Sequence, residues 1–212
     1  MPVQEFLRIP AGGGVSLEGK LSIPEGALGL VIFAHGAGSS RLSPRNTYVA
    51  KLLQHNGLGT LLFDLLTEEE DMVYSNRFDI DLISARMAEA TTWVSGNTAA
   101  QGMPIGFFGA STGSAAALKA SVTIEKGIRA VVSRGGRPDM VMDILPEVRS
   151  PTLLIVGGDD AVVIELNRQA FNALTTEKDL QIIPGAGHLF EEPGKLDMVA
   201  DLAGRWFTRH MA

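Results

Sequence analysis

The 212-residue sequence predicts an α/β fold, with a mostly parallel central sheet covered by helices on both faces. Short apolar, β-branched runs recur, as in Leu30-Val31-Ile32-Phe33-Ala34 and Leu153-Leu154-Ile155-Val156, and such runs suit strands buried on both sides. Stretches with helical spacing of apolar residues separate them, and this alternation implies a parallel sheet. Ala37, Ser111, Asp160 and His188 all fall just after predicted strands, so all four converge on one sheet edge. In open α/β sheets that carboxyl edge is where ligands bind.

Taken in order, a strand or hairpin is predicted within Val15 to Ile23, after Ala11-Gly12-Gly13-Gly14. Further strands are predicted near residues 30–34, 60–64, 105–108, 130–133, 153–156 and 181–183. Residues 48–56 read as a helix, with Val49, Leu52 and Leu53 on one face and Gly57 as its C-cap signal. Residues 78–94 place Ile80, Ile83, Met87 and Val94 near helical spacing. Residues 138–145, 163–174 and 195–210 read as further helices, and Ala115-Ala116-Ala117 opens another behind Ser111. The acidic run Glu68-Glu69-Glu70-Asp71 reads as a solvated loop. Little chain is left there, or after Ser133, for a large cap, so an open or shallow site is expected.

Residues 1–212 are expected to form one domain. With 18 Lys and Arg against 24 Asp and Glu, the net charge of −6 disfavours a nucleic-acid partner and an anionic membrane surface. The absence of Cys excludes disulfides, thiolate catalysis and Cys–zinc sites. Four scattered His residues suggest no metal site, and no cofactor is expected. Met1-Pro2-Val3-Gln4-Glu5-Phe6 lacks the basic and apolar regions of a signal peptide. No run approaches the roughly 18 apolar residues of a membrane span. The expectation is a cytoplasmic protein, monomer or homodimer, acting on a small molecule.

The chemistry centres on residues 105–117, which read as a strand, the turn Gly109-Ala110-Ser111-Thr112-Gly113, and a helix. A G-x-S-x-G turn in this setting lifts a serine hydroxyl clear of the sheet edge. It also places the serine at a helix N-terminus, where free N–H groups favour developing negative charge. The composition gives roughly 0.2 chance matches in a chain this long, so the motif needs partners to carry weight. A serine hydroxyl needs a general base, and the base needs an acid to orient it.

In this setting the chain order is Ser, then acid, then His. Only His188 follows both Ser111 and the candidate acids and also lies in a Gly-rich loop after a strand. His55 sits on a predicted helix and His210 lies near the end of the sequence; His35 precedes the nucleophile and reads as structural, holding its loop by hydrogen bonds. The adjacent carboxylates Asp159 and Asp160 compete for the acid role, and Asp159 also suits a turn or helix N-cap. For the oxyanion, the predicted donors are the amides of Thr112 and of Ala37 in His35-Gly36-Ala37-Gly38, with Gly38 as fallback. Arg41, Arg45, Arg134 and Arg137 are candidates to bind a substrate carboxylate, Arg134 first because it follows a strand. The alternative for each is a salt bridge or loop anchor.

With these residues in hand, the chain resembles the α/β-hydrolase superfamily over nearly its whole length. Its compact size, without a large cap, looks like the dienelactone hydrolase family. The resemblance is carried by residues 33–41, Ser43-Pro44-Arg45-Asn46, Gly109-Ala110-Ser111-Thr112-Gly113 and Arg134-Gly135-Gly136-Arg137-Pro138-Asp139. It implies a triad of Ser111, Asp160 and His188, because the family's G-x-x-D-x-x-V pattern runs through Gly157 and Val163 and so selects Asp160. It implies hydrolysis of carboxylic esters of small acyl groups through an acyl-enzyme. The name-giving enzymes use a cysteine nucleophile, which this chain lacks, so a serine esterase is favoured over dienelactone hydrolysis. The same triad serves thioesterases, amidases, phosphotriesterases and cofactor-free perhydrolases or haloperoxidases. A non-catalytic binding protein on the same fold is the reading from another class.

Overall fold

The computed structural model describes residues 1–124 and 127–212. Strands β1 (Val3–Ala11) and β2 (Val15–Ile23) form an antiparallel hairpin closed by Gly12–Gly14. Then follow β3 (Leu30–Ala34), α1 (Pro44–His55), β4 (Gly59–Phe63), α2 (Glu68–Met72) and α3 (Ile80–Ser95). The second half runs β5 (Ile105–Ala110), α4 (Thr112–Thr123), β6 (Ala130–Arg134), β7 (Thr152–Gly157), α5 (Ala161–Ala173), β8 (Lys178–Ile183) and α6 (Lys195–Met211). Among the described residues the sheet has eight strands in the order β1-β2-β4-β3-β5-β6-β7-β8. β2 pairs antiparallel with β4, and every later pairing is parallel.

Strands β3, β4, β6 and β7 are buried at every position, which is why their central residues are consecutive apolar ones rather than alternating with polar ones. Alternate residues serve two cores. On one face Ile32, Phe107, Val131 and Leu154 pack under Met87 and Ala90 of α3, Ala115–Ala117 of α4 and Ala170 of α5. On the other, Phe33, Phe108, Val132 and Ile155 pack against Val49 and Leu53 of α1 and Val199, Ala203 and Phe207 of α6. Each large apolar side chain fully buried here contributes about 1.5–3 kcal/mol, enough to hold both helix layers to the sheet.

Several boundaries differ from the sequence expectation. β1 was not anticipated: it is an outer strand, and only Ile9 within it is fully enclosed, so its apolar signal is thin. α1 starts at Pro44, four residues before its apolar periodicity begins, because Ser43 caps it and Pro44 opens its first turn. The acidic run is helix α2, not a loop: Thr67 accepts from the Glu70 amide at 3.1 Å while the Glu70 side chain accepts from the Thr67 amide at 2.9 Å. That is a reciprocal capping box. Residues 138–145 are not one helix but short 3₁₀ turns at Pro138–Val141 and Leu145–Glu147.

The β5–α4 junction is the tightest point of the sheet edge. A Cβ on Gly113 would collide with the carbonyl oxygens of Ala34 and His35, and one on Gly109 with the Ser114 backbone. Backbone atoms cannot yield as a flexible side chain can. Gly113→Ala is therefore expected to cost about 3 kcal/mol. Thermal unfolding should show a fall in melting temperature of roughly 6–12 °C.

Candidate active site

Ser111 sits between β5 and α4 at φ 51° and ψ −122°, one of two non-glycine residues with positive φ among those described. Left-handed backbone at a serine stores strain that the surrounding structure must hold. The Ser111 amide donates to the Arg134 carbonyl of neighbouring β6 at 3.2 Å, and its carbonyl accepts from the Ser114 and Arg137 amides at 3.0 and 3.1 Å. Its side chain makes no capping bond to α4, which leaves the hydroxyl available. The Thr112 amide opens the helix beside it.

His188 lies in the loop between β8 and α6, and its Nδ1 is 2.7 Å from Asp160 Oδ2. Asp160 also caps α5, its Oδ1 accepting from the Val163 amide at 3.4 Å. One carboxylate thus anchors a helix with one oxygen and an imidazole with the other. The imidazole packs over Gly135, where an added Cβ would lie 3.6 Å from His188 Cε1. Gly135 directly follows Arg134, whose carbonyl holds Ser111, so ring and hydroxyl share one corner of the sheet edge. The Ser111 hydroxyl and His188 are not hydrogen bonded to each other here. Such bonds are often long before substrate binds.

The third side of the corner is the loop after β3. Gly36 touches Ser111: a Cβ there would lie 3.2 Å from the Ser111 Cβ. Gly36 to Ser39 form a turn, with the Ser39 amide donating to the Gly36 carbonyl at 3.1 Å and Gly38 at φ 69°. The Ala37 amide donates to the Thr112 hydroxyl at 2.9 Å. It is therefore not vacant as the sequence suggested; an oxyanion would have to take it from Thr112 Oγ1. Among the described residues the Gly38 amide has no protein acceptor.

His35 locks this turn in place. Its Nε2 accepts from the Leu65 amide at 3.1 Å, which leaves Nδ1 to carry the proton and donate to the Gly36 carbonyl at 3.0 Å. Burial pushes its pKa below the ordinary 6.5. The unfolded chain then binds the proton more readily, so stability is fully present above about pH 6.5 and falls as the pH drops toward the folded value. Acid melting curves should show this loss. His35→Gln, which does not titrate, should flatten it, with His210 contributing a residual slope of the same sign because burial lowers its pKa too.

The comparisons bear on this geometry. The fold matches the crystal structure of dienelactone hydrolase from Anabaena variabilis at 51% identity and TM-score 0.95, covering 100% of this chain and 99% of that one. This chain belongs to the dienelactone hydrolase family. Est1E from Butyrivibrio proteoclasticus shares the fold at 14% identity and TM-score 0.81, covering 98% of each chain. The esterase domain of a Rhodothermus marinus protein does so at 17% identity and TM-score 0.81, covering 99% of this chain and 100% of that domain. A putative phosphoribosyl transferase of Mycobacterium tuberculosis is 51% identical over 199 residues, which are 94% of this chain and 45% of that protein. The chain thus spans less than half the length of that curated relative. No family model matches.

Among the arginines of this dienelactone hydrolase relative, Arg41 is occupied. Its Nη1 pairs with Asp64 at 2.5 Å and its Nη2 with Glu18, so it ties the loop after β3 to β2 and β4 rather than offering a free guanidinium. Arg137 is paired with Asp139 at 2.8 Å. Arg45 holds Glu191 at 2.6 Å through Nη1. Arg134 is 6% exposed and, among the described residues, neither its Nε nor its Nη1 meets an acceptor.

Arg77 was missed. Its guanidinium is held bidentately by Asp71 at 3.0 and 2.8 Å, and its Nη1 lies 3.6 Å from where a Gly38 Cβ would stand. The Asp71–Arg77 spacing within a polar segment carried no periodic signal. The His188 side chain is 40% exposed, so the corner is open to solvent. A small recess lies beside it, between the Gly36–Gly38 turn, Leu65 and Arg77. A larger cleft, about 620 Å³, lies at the opposite end of the sheet near Pro104 and Arg129, away from these groups.

Among the described residues no helix is long and apolar enough to cross a membrane.

Proposed function

We propose that this protein is a serine hydrolase that cleaves carboxylic esters of small acyl groups through an acyl-enzyme. The observation that carries the reading is the 2.7 Å Asp160–His188 pair beside a serine held at positive φ on a strand–helix turn. Ser111 Oγ attacks the ester carbonyl as His188 Nε2 takes its proton. Asp160 keeps the Nδ1 proton in place and stabilises the imidazolium. The oxyanion is received by the Thr112 amide at the N-terminus of α4 and by the Gly36–Gly38 turn, where the Ala37 amide exchanges Thr112 Oγ1 for it or the Gly38 amide donates instead. Each such donor is worth about 3 kcal/mol in the transition state. His188 then returns its proton to the leaving alcohol, and water releases the acyl group by the same steps.

The open corner supports small esters. Exposed Tyr74 and Phe78, with ring centroids 5.2 Å apart, stand on the segment that carries Arg77 and offer an apolar flank for the acyl or alcohol group. Phosphoribosyl transfer is a weaker reading, because the name belongs to a protein of which this chain spans 45% and the groups gathered here suit acyl chemistry. The remaining proposals are a small-molecule ester as partner and no cofactor in the chemical step. A panel of p-nitrophenyl esters from acetate to octanoate tests the reading. The expected result is the highest kcat/KM at the shortest acyl groups, falling with length. Cleavage of thioesters or amides with no ester cleaved would replace it.

A further inference from the structure

Every other arginine around this edge has its carboxylate: Arg41 has Asp64 and Glu18, Arg77 has Asp71, Arg86 has Glu70 and Glu89, and Arg137 has Asp139. Among the described residues Arg134 has none, although it is the most deeply placed of those at the candidate site. It ends β6, and its alternation with Val132 directs it to the face covered by α1 and α6. Arg45, the second residue of α1, lies near enough to repel it. Burial first, and then Arg45, pull the Arg134 pKa down to about 10, so it stays charged at neutral pH. Arg45 Nε is also buried without an acceptor. Two guanidinium groups and the N-terminal end of a twelve-residue helix thus converge, and among the described residues the one carboxylate paired with them is Glu191. A buried charge left without a partner is destabilising, and a fold that keeps one on the residue whose carbonyl holds the Ser111 amide is built to receive the missing anion.

We propose that Arg134 and Arg45 form a socket for the phosphoryl group of a phosphorylated ester substrate, between the end of β6 that holds the Ser111 amide and the loop that carries His188 and Glu191. This rests on the ester-hydrolase reading for the bond that is cleaved, but not for the anion that is bound. The stoichiometry selects phosphoryl over carboxylate. Three buried nitrogens without acceptors, Arg45 Nε and Arg134 Nε and Nη1, match three terminal oxygens. Once Glu191 leaves Arg45, two positive charges match a dianion, whereas a carboxylate would match Arg134 alone and leave Arg45 with Glu191. The exposed Glu191 carboxylate is the stand-in that the phosphoryl group displaces from Arg45.

The test is thermal unfolding of the full chain with inorganic phosphate or acetate at matched ionic strength, alongside Arg134→Met and Glu191→Gln. Phosphate should raise the wild-type melting temperature by about 5–10 °C at a hundredfold excess over Kd, and acetate by much less. Arg134→Met should melt higher than wild type without phosphate, since an apolar side chain replaces an unpaired buried charge, and should show no phosphate shift. Glu191→Gln should reach the shift at lower phosphate. The proposal fails if wild type shows no shift, if Arg134→Met keeps it, or if acetate equals phosphate. Should Arg134→Met not fold, an unchanged phosphate dependence in Glu191→Gln overturns the proposal by itself. Phosphate should also inhibit p-nitrophenyl acetate hydrolysis competitively. A phosphate shift in a protein that cleaves no ester would keep the socket and remove the hydrolase reading.

Discussion

Ser111→Ala is expected to lower kcat by about 10⁶-fold on the best p-nitrophenyl ester while leaving the melting temperature nearly unchanged. The two halves of the result come from different parts of the structure. The hydroxyl is the attacking group, and no neighbour can replace it, because the chain has no Cys and the adjacent Thr112 hydroxyl is already accepting from the Ala37 amide. The Ser111 side chain caps no helix amide, so its removal breaks no structural bond. The strain at φ 51° lies in the backbone and persists in alanine. A stability change beyond about 0.5 kcal/mol would mean that Ser111 is structural.

Asp160→Asn should lower kcat by about 10⁴-fold, because an amide can favour the wrong imidazole tautomer on His188. Stability should hardly move, since Asn caps a helix as well as Asp does and the Val163 amide keeps its acceptor. Asp160→Ala should lose the same activity and, in addition, about 1 kcal/mol from the lost cap. The pair of variants separates the two oxygens of one carboxylate: Oδ2 serves His188 and Oδ1 serves α5. Asp159→Asn should be close to neutral in both readouts. If Asp159→Asn were the more damaging, the acid would be the wrong one of the two neighbours.

The sheet could be read from the sequence wherever burial is two-sided. β3 and β7 are apolar at nearly every position, and β6 through Val132, because both faces meet helices, and such runs announce themselves. β1 did not, because an outer strand keeps Glu5 and Arg8 in solvent and encloses only Ile9. The first turn of α1 and the whole of α2 are set by caps, Ser43 and the Thr67–Glu70 box, which periodicity does not detect. The S-x-x-N and T-x-x-E patterns were the available signals.

Ser111, Asp160 and His188 were legible because each follows a strand of a parallel sheet. Such residues meet at one edge without any long-range pairing having to be known. The arginines were not, because their roles depend on partners far along the chain. Arg41 is tied to Glu18 and Asp64, and Arg134 is set apart by the lack of any such partner. Asp160 was chosen as the acid, and its second duty as the α5 cap, which the sequence reading had offered to Asp159, became visible only in the structure.

The most direct test of the central claim is the intact mass of the protein after reaction with a fluorophosphonate, with Ser111→Ala treated in parallel and the modified peptide mapped. The account predicts one adduct on the wild type, located on Ser111, and none on the variant. Its premise is that His188 and Asp160 make this one hydroxyl nucleophilic at neutral pH. An adduct on another residue, equal labelling of the variant, or an unlabelled wild type would contradict it.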